Sequence, residues 1–177
     1  MLGYPCCVVA AESDFDLIFT ALAKGKVRYL VVGGVAVVLH GVPRFTADLD
    51  LVLDLTPANV TAAMAVLAEL GYRPRAPVPF LDFANAGKRR EWVEQKSLKV
   101  LGLWSPDHPA TEIDLFVEEP FPFEETFSRA SRVDLGLNTV VIASIADLIR
   151  LKREADRPKD REDIERLNMI LAETSRA

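Results

Sequence analysis

Between Ala47 and Asp54 the chain alternates without a break. Ala47, Leu49, Leu51 and Leu53 fall on one side, and Asp48, Asp50, Val52 and Asp54 on the other. A period of two belongs to a β-strand, whose successive side chains point to opposite faces. One face asks to be buried. The other sets the Cα atoms of Asp48 and Asp50 about 6.6 Å apart, at ~3.3 Å per residue. Two carboxylates that close repel, and burying either is costly without a counter-charge. Two readings follow: a solvated strand with its acids in water, or a pair converging on a divalent cation, which prefers oxygen ligands.

The residues before this strand bear on the choice. Val27 to Val32 is apolar and largely β-branched, and reads as a buried strand. Gly33-Gly34 interrupts it, and Val35 to His40 reads as a short buried helix stopped by Gly41 and Pro43. A strand, two glycines and a helix start place backbone N–H groups and a positive dipole end at one point. This is either an anion site or a plain tight turn.

A similar device recurs downstream. Ser97 to Trp104 and Thr111 to Val117 read as two strands joined by "SPDHPA". Glu112, Asp114 and Phe116 share one face of the second strand. If that strand lies beside Ala47–Asp54, Asp114 joins Asp48 and Asp50, and three acids stand next to the glycine turn. A third possibility, a purely structural acidic strand, requires Asp114 to be far away.

The remaining pattern is mixed. Ser13 and Asp16 form a capping box opening a helix to Lys24. Thr56-Pro57 opens another helix, ending at Gly71. Residues 74–87 read as irregular and Lys88 to Lys96 as a short helix. "EEPFPFEE" reads as a linker, 133–135 and 139–142 as short strands, and Ser144–Glu154 and Asp160–Ala172 as helices. The expected fold class is α/β (α+β): a short mixed sheet flanked by helices, with residues 1–120 as a core and 121–177 as a mainly helical part packed on it.

With 177 residues, 50% hydrophobic and 27% charged, the chain is long enough for one domain. A net charge of -5 disfavours a broad basic platform for nucleic acid, though not a local basic cleft. Cys6 and Cys7 are adjacent, without metal-ligand or disulfide spacing. "MLGYPCCVVAAESD" lacks a basic leader region, and no apolar run reaches the ~18 residues that a membrane span needs. The expectation is a soluble, cytoplasmic protein with no membrane partner.

Gly33, Gly34, Asp48, Asp50 and Asp114 together resemble the signature of the polymerase-β-type nucleotidyltransferase superfamily. That signature is glycine followed by Gly or Ser, a spacer, an Asp-x-Asp strand and a later strand acid. "GGVAVVLHGVPRFTADLDLVL" with "IASIADLIRLKREADRPKDREDIERL" is more narrowly similar to small bacterial members related to the AbiEii/MenT toxins of toxin–antitoxin systems. Where many members carry Ser, Gly34 offers only its backbone.

The resemblance implies Mg²⁺- or Mn²⁺-dependent transfer of NMP from an NTP to a hydroxyl of a tRNA, a protein or a small molecule, with an antitoxin as a possible partner. It makes Asp48, Asp50 and Asp114 the metal-binding and catalytic acids. Gly33, Gly34, Arg44, Thr46 and Lys152 become the nucleotide-binding residues. A non-catalytic nucleotide- or partner-binding protein on the same fold is the alternative.

Each supporting residue also has a plainer reading. Arg44 suits a phosphate or a salt bridge equally. Thr46 can line the same rim or merely start the strand, and Lys152 can lie on a solvated helix face. Asp160 and Asp163 read as an N-cap pair with a possible tie to Arg157 or Lys152. Lys88-Arg89-Arg90 reads as a solvated run, His40 as a packed helix end, and Trp104 as a core residue. His108 has no sequence partner that would make it a base. Trp92 and Trp104 could each also stack a base.

Overall fold

The computed structural model describes residues 13–174. Cys6, Cys7 and the chain start lie outside that range. Helix α1 (Asp14–Lys24) begins at the expected Ser13/Asp16 capping box. Strand β1 (Tyr29–Val31) leads into α2 (Gly33–Leu39), which starts at the glycines themselves rather than after them. Strand β2 (Asp48–Leu53) carries the alternating acids, and α3 (Pro57–Glu69) follows with proline in its first turn.

The stretch expected to be irregular is more ordered than its prolines suggest. Arg73–Pro74 forms an edge strand, β3, and Phe80–Ala84 a 3₁₀ turn anchored by buried Phe83. Helix α4 (Ala86–Lys96) is capped by Asn85, whose side chain accepts from the N–H groups of Gly87 and Lys88. Strands β4 (Val100–Trp104) and β5 (Glu112–Phe116) form the expected antiparallel pair.

The expected linker is also ordered. Phe121 and Phe123 are buried, and α5 (Phe123–Ser128) begins within it. The Arg28 guanidinium lies over the Phe123 and Phe127 rings and pairs with Glu124, fastening this segment to the core. Strands β6 (Ser131–Asp134) and β7 (Thr139–Ile142) then lead to α6 (Ile145–Ala155) and α7 (Pro158–Thr174).

Among the described residues, the seven strands form one mixed sheet in the order β3-β4-β5-β2-β1-β7-β6. Strand β2 runs antiparallel to β1 and parallel to β5. Strand β7 joins the same sheet beside β1, so the sheet continues past residue 120. The inward parity of the central strands (Leu49, Leu51, Leu53, Leu101, Leu103, Ile113, Leu115) is fully buried. It forms one apolar cluster with Ile18, Phe19 and Leu22 of α1 and Val60, Met64 and Leu67 of α3. The opposite parity of β2 and β5 carries Asp48, Asp50, Glu112 and Asp114, and that of β4 carries Val100, Gly102 and Trp104.

Candidate active site

In the parallel β2–β5 pair, Asp50 stands directly across from Asp114, and Asp48 across from Glu112. The two acidic strands are neighbours, and their register places Asp48, Asp50 and Asp114 on one face. Burial pushes the Asp50 carboxyl up to about 6, with Asp114 and Asp48 adding to the rise. Burial likewise raises Asp114, helped by Asp48 and Glu112 and opposed by Arg75. Acidic side chains so placed gain from a cation. Asp54, of the same parity, belongs elsewhere: it is buried, pairs with Arg28 at 2.6 Å and accepts the Thr56 N–H.

The glycine turn is built around Asp50. Gly33 sits at φ +61°, and a Cβ there would overlap the Asp50 Oδ2. Glycine is what lets the carboxylate lie against this turn. The Gly34 N–H, expected to be open to an anion, donates to the Asp50 carboxylate. Val32, at the N-cap of α2, supplies no side-chain cap. A Cβ on Gly34 would collide with Thr46 Oγ1 and stand 3.1 Å from an Arg44 guanidinium nitrogen. Gly33, Gly34, Arg44, Thr46 and Asp50 are thus brought together.

Arg44 takes the salt bridge: its Nη1 is 2.5 Å from Asp163 Oδ2. Lys152 is not on a solvated face. It is 5% exposed, with Nζ 2.7 Å from Asp163 Oδ2 and 3.1 Å from Asp160 Oδ1. Its place follows from α6 packing on α7, which turns both acids inward. Asp160 also accepts from the Arg157 side chain and backbone. Burial works to raise Asp160, yet hydrogen bonds from Arg157 and Lys152 hold it below its ordinary value. The tie of Asp160 and Asp163 to Lys152 and Arg157 is therefore real and largely buried.

A cleft of about 350 Å³ opens beside these groups, lined by Gly33, Asp50, Lys99, Phe116, Lys152 and Arg157, among others. Arg157 and Asp50 attract each other across it. Nothing local in the sequence marks Lys99, and Arg157 reads there only as a partner for an acid. Phe116 was readable, because it shares the parity of Asp114.

Other residues fall outside this centre. His40 Nε2 donates to the Ala143 carbonyl at 2.8 Å, and His108 pairs with Asp14. Arg89 is buried against the Phe83 carbonyl, so Lys88-Arg89-Arg90 is not wholly solvated. Trp92 is 2% exposed, whereas Trp104, expected in the core, is 42% exposed.

The donor set fits a hard divalent cation in kind, because Asp48, Asp50 and Asp114 offer oxygen alone. Among the described residues, no three His, Cys, Asp or Glu side chains yet converge as one ligand group.

The mixed sheet, with paired strand acids beside a glycine turn, accords with the family that the chain matches. The family model described as "Nucleotidyltransferase of unknown function (DUF6036)" matches residues 12–173, and the chain belongs to that family. No curated protein matches the chain significantly. Among solved structures, the chain is similar to the lincomycin-bound lincosamide antibiotic adenylyltransferase LnuA. Identity there is 16%, over 86% of this chain and 93% of that one, with a TM-score of 0.58. It is also similar to ANT(2″)-Ia in complex with adenylyl-2″-tobramycin, at 17% identity over 92% and 95% of the two chains, with a TM-score of 0.52. These likenesses concern the fold. No helix among the described residues is long and apolar enough to cross a membrane.

Proposed function

We propose that the chain transfers NMP from an NTP to a hydroxyl acceptor, with a divalent cation, Mg²⁺ or Mn²⁺, held by Asp48, Asp50 and Asp114. The observation that carries this is the register of Asp50 against Asp114, directly beside Gly33. When bound, the cation would neutralise charge on the triphosphate.

The chain's own residues supply position and proton handling. Gly33 and Gly34 seat the Asp50 carboxylate against the start of α2, which places the nucleotide-binding turn beside the cation. Lys152 and Arg157 line the cleft and oppose its negative charge, while Arg44 and Thr46 hold the rim beside Gly34. The acceptor oxygen forms a bond to the α-phosphorus, the bond from that phosphorus to the β-phosphate bridge breaks, and pyrophosphate leaves. The hydroxyl proton passes to the Asp114 carboxylate. The catalytic contribution is orientation and charge stabilisation.

Two neighbours in fold are described with small antibiotics, lincomycin and tobramycin. Together with the acidic balance of this chain, they support a small-molecule acceptor over RNA. A toxin role with an antitoxin partner rests on the sequence resemblance alone. Cytoplasmic location belongs to the same proposal, since NTP is its substrate.

The test is thermal stabilisation by Mg²⁺–NTP in wild type and Asp50→Ala, followed by pyrophosphate release with acceptor. The proposal expects stabilisation in wild type, its loss in the variant and acceptor-dependent release. A nucleotide sensor would be stabilised and release no pyrophosphate.

A further inference from the structure

Trp104 is a large aromatic side chain left at 42% exposure at the end of β4. On that strand Val100, Gly102 and Trp104 alternate with fully buried Leu101 and Leu103. Gly102 stands directly across from Asp114, and Val100 from Phe116. On the outer side, Arg73 stands across from Trp104. The face that carries Asp114 therefore continues over Gly102 towards Trp104, with Glu112 at the same end of β5.

This end is opposite the cleft. The cleft reaches Phe116 and Lys99, beyond Asp114 in one direction along the strands, whereas Glu112 and Trp104 lie in the other. Asp114 stands between them. A Cβ on Gly102 would come 3.3 Å from Asp114 Oδ1 and 3.8 Å from Arg75 Cδ. Glycine leaves room here for the Asp114 carboxylate and the Arg75 stem, which both lie over this position. Arg75 is engaged in an ion pair with Glu112. With a divalent cation on Asp48, Asp50 and Asp114, and Arg73 and Arg75 beside Glu112, the shelf carries no net charge. An exposed indole takes ring faces and cations.

We propose that the shelf formed by Gly102, Trp104 and Glu112 is the acceptor subsite, and that it takes a neutral or cationic hydroxyl-bearing ring stacked on Trp104. This rests on the nucleotidyl-transfer reading above. The ring lies on the indole face, with a hydroxyl directed back over Gly102 to Asp114. An amino group on it takes the place of Arg75 at Glu112. Trp104 is a binding residue here and takes no part in bond making.

Tobramycin, a polyhydroxyl ring compound bearing amino groups, is the probe. With Mg²⁺ and the four NTPs present, it should quench tryptophan fluorescence saturably, and Trp104→Phe should abolish that quench, because Trp92 is buried. Trp104→Ala should raise the KM for tobramycin at least tenfold, while thermal stabilisation by Mg²⁺–NTP stays as in wild type. Absence of saturable quenching, an equal quench in Trp104→Phe, or transfer to tRNA that Trp104→Ala leaves unchanged would each overturn the inference. Loss of Mg²⁺–NTP stabilisation in Asp50→Ala reports on nucleotidyl transfer separately. If that holds while the tobramycin signals fail, the acceptor assignment falls alone.

Discussion

Lys152 Nζ lies 2.7 Å from Asp163 Oδ2, and Arg44 reaches the same carboxylate oxygen from the loop between α2 and β2. One buried acid thus joins the last two helices to the rim of the glycine turn. Asp163→Ala leaves two cations facing each other without their shared partner. Breaking a buried ion pair in this way costs about 3–5 kcal/mol. Urea denaturation should show a loss of that order, with Asp163→Asn less damaged because the amide oxygen still accepts a hydrogen bond.

Asp50 gives a pH dependence of defined sign. Its carboxyl is raised from an ordinary 3.8 to about 6, so the folded chain holds the proton more tightly than the unfolded one. The stability linked to this group is present below pH 3.8 and is lost as pH rises through about 6. A two-unit rise corresponds to roughly 1–3 kcal/mol. Relative to wild type, Asp50→Asn should therefore gain stability at pH 7.5 and little at pH 4, as measured by chemical unfolding. Mg²⁺ added at pH 7.5 should stabilise wild type and leave the variant unmoved.

Gly33→Ala should be damaging in two ways. A positive φ costs a non-glycine residue about 1–2 kcal/mol. The added methyl would also overlap the Asp50 carboxylate. The variant should melt lower and lose Mg²⁺–NTP stabilisation, whereas Gly136→Ala, whose Cβ would meet nothing within 4 Å, should keep the latter.

Asp114→Asn keeps the shape and removes the charge opposite Asp50. Transition-state charge stabilisation is worth several kcal/mol in sites of this kind, so turnover should fall on the order of 10³-fold. Circular dichroism should stay as in wild type and the melting temperature should not fall, because the variant no longer holds a charge that burial and its acidic neighbours oppose.

The sequence disclosed the parts of the centre that local pattern controls. Strict alternation marked the parity of Asp48 and Asp50, the glycines marked the end of β1, and the second alternation marked Asp114. The β2–β5 register was not readable, because α3, β3, α4 and β4 intervene and a parallel crossover leaves no local signal. The buried place of Lys152 was not readable, because a lysine in an amphipathic helix normally lies in water and only the packing of α7 brings Asp160 and Asp163 to it. Trp104 misled because its apolar neighbours suggested the core, while strand parity put it on the open face. The proline-rich segments misled because proline lowers strand and helix propensity, yet Phe83, Phe121 and Phe123 supply the burial that orders them.

The central claim is that the α-phosphate moves to an acceptor under the control of Asp50 and Asp114. Cell extract supplies the acceptors, and the protein is incubated with Mg²⁺ and NTPs labelled at either the α- or the γ-phosphate. The account predicts that α-label enters a small-molecule fraction, that γ-label leaves as pyrophosphate, and that Asp50→Asn and Asp114→Asn abolish both. Transfer of γ-label to the acceptor, or no α-label in any fraction with folded protein, would contradict it.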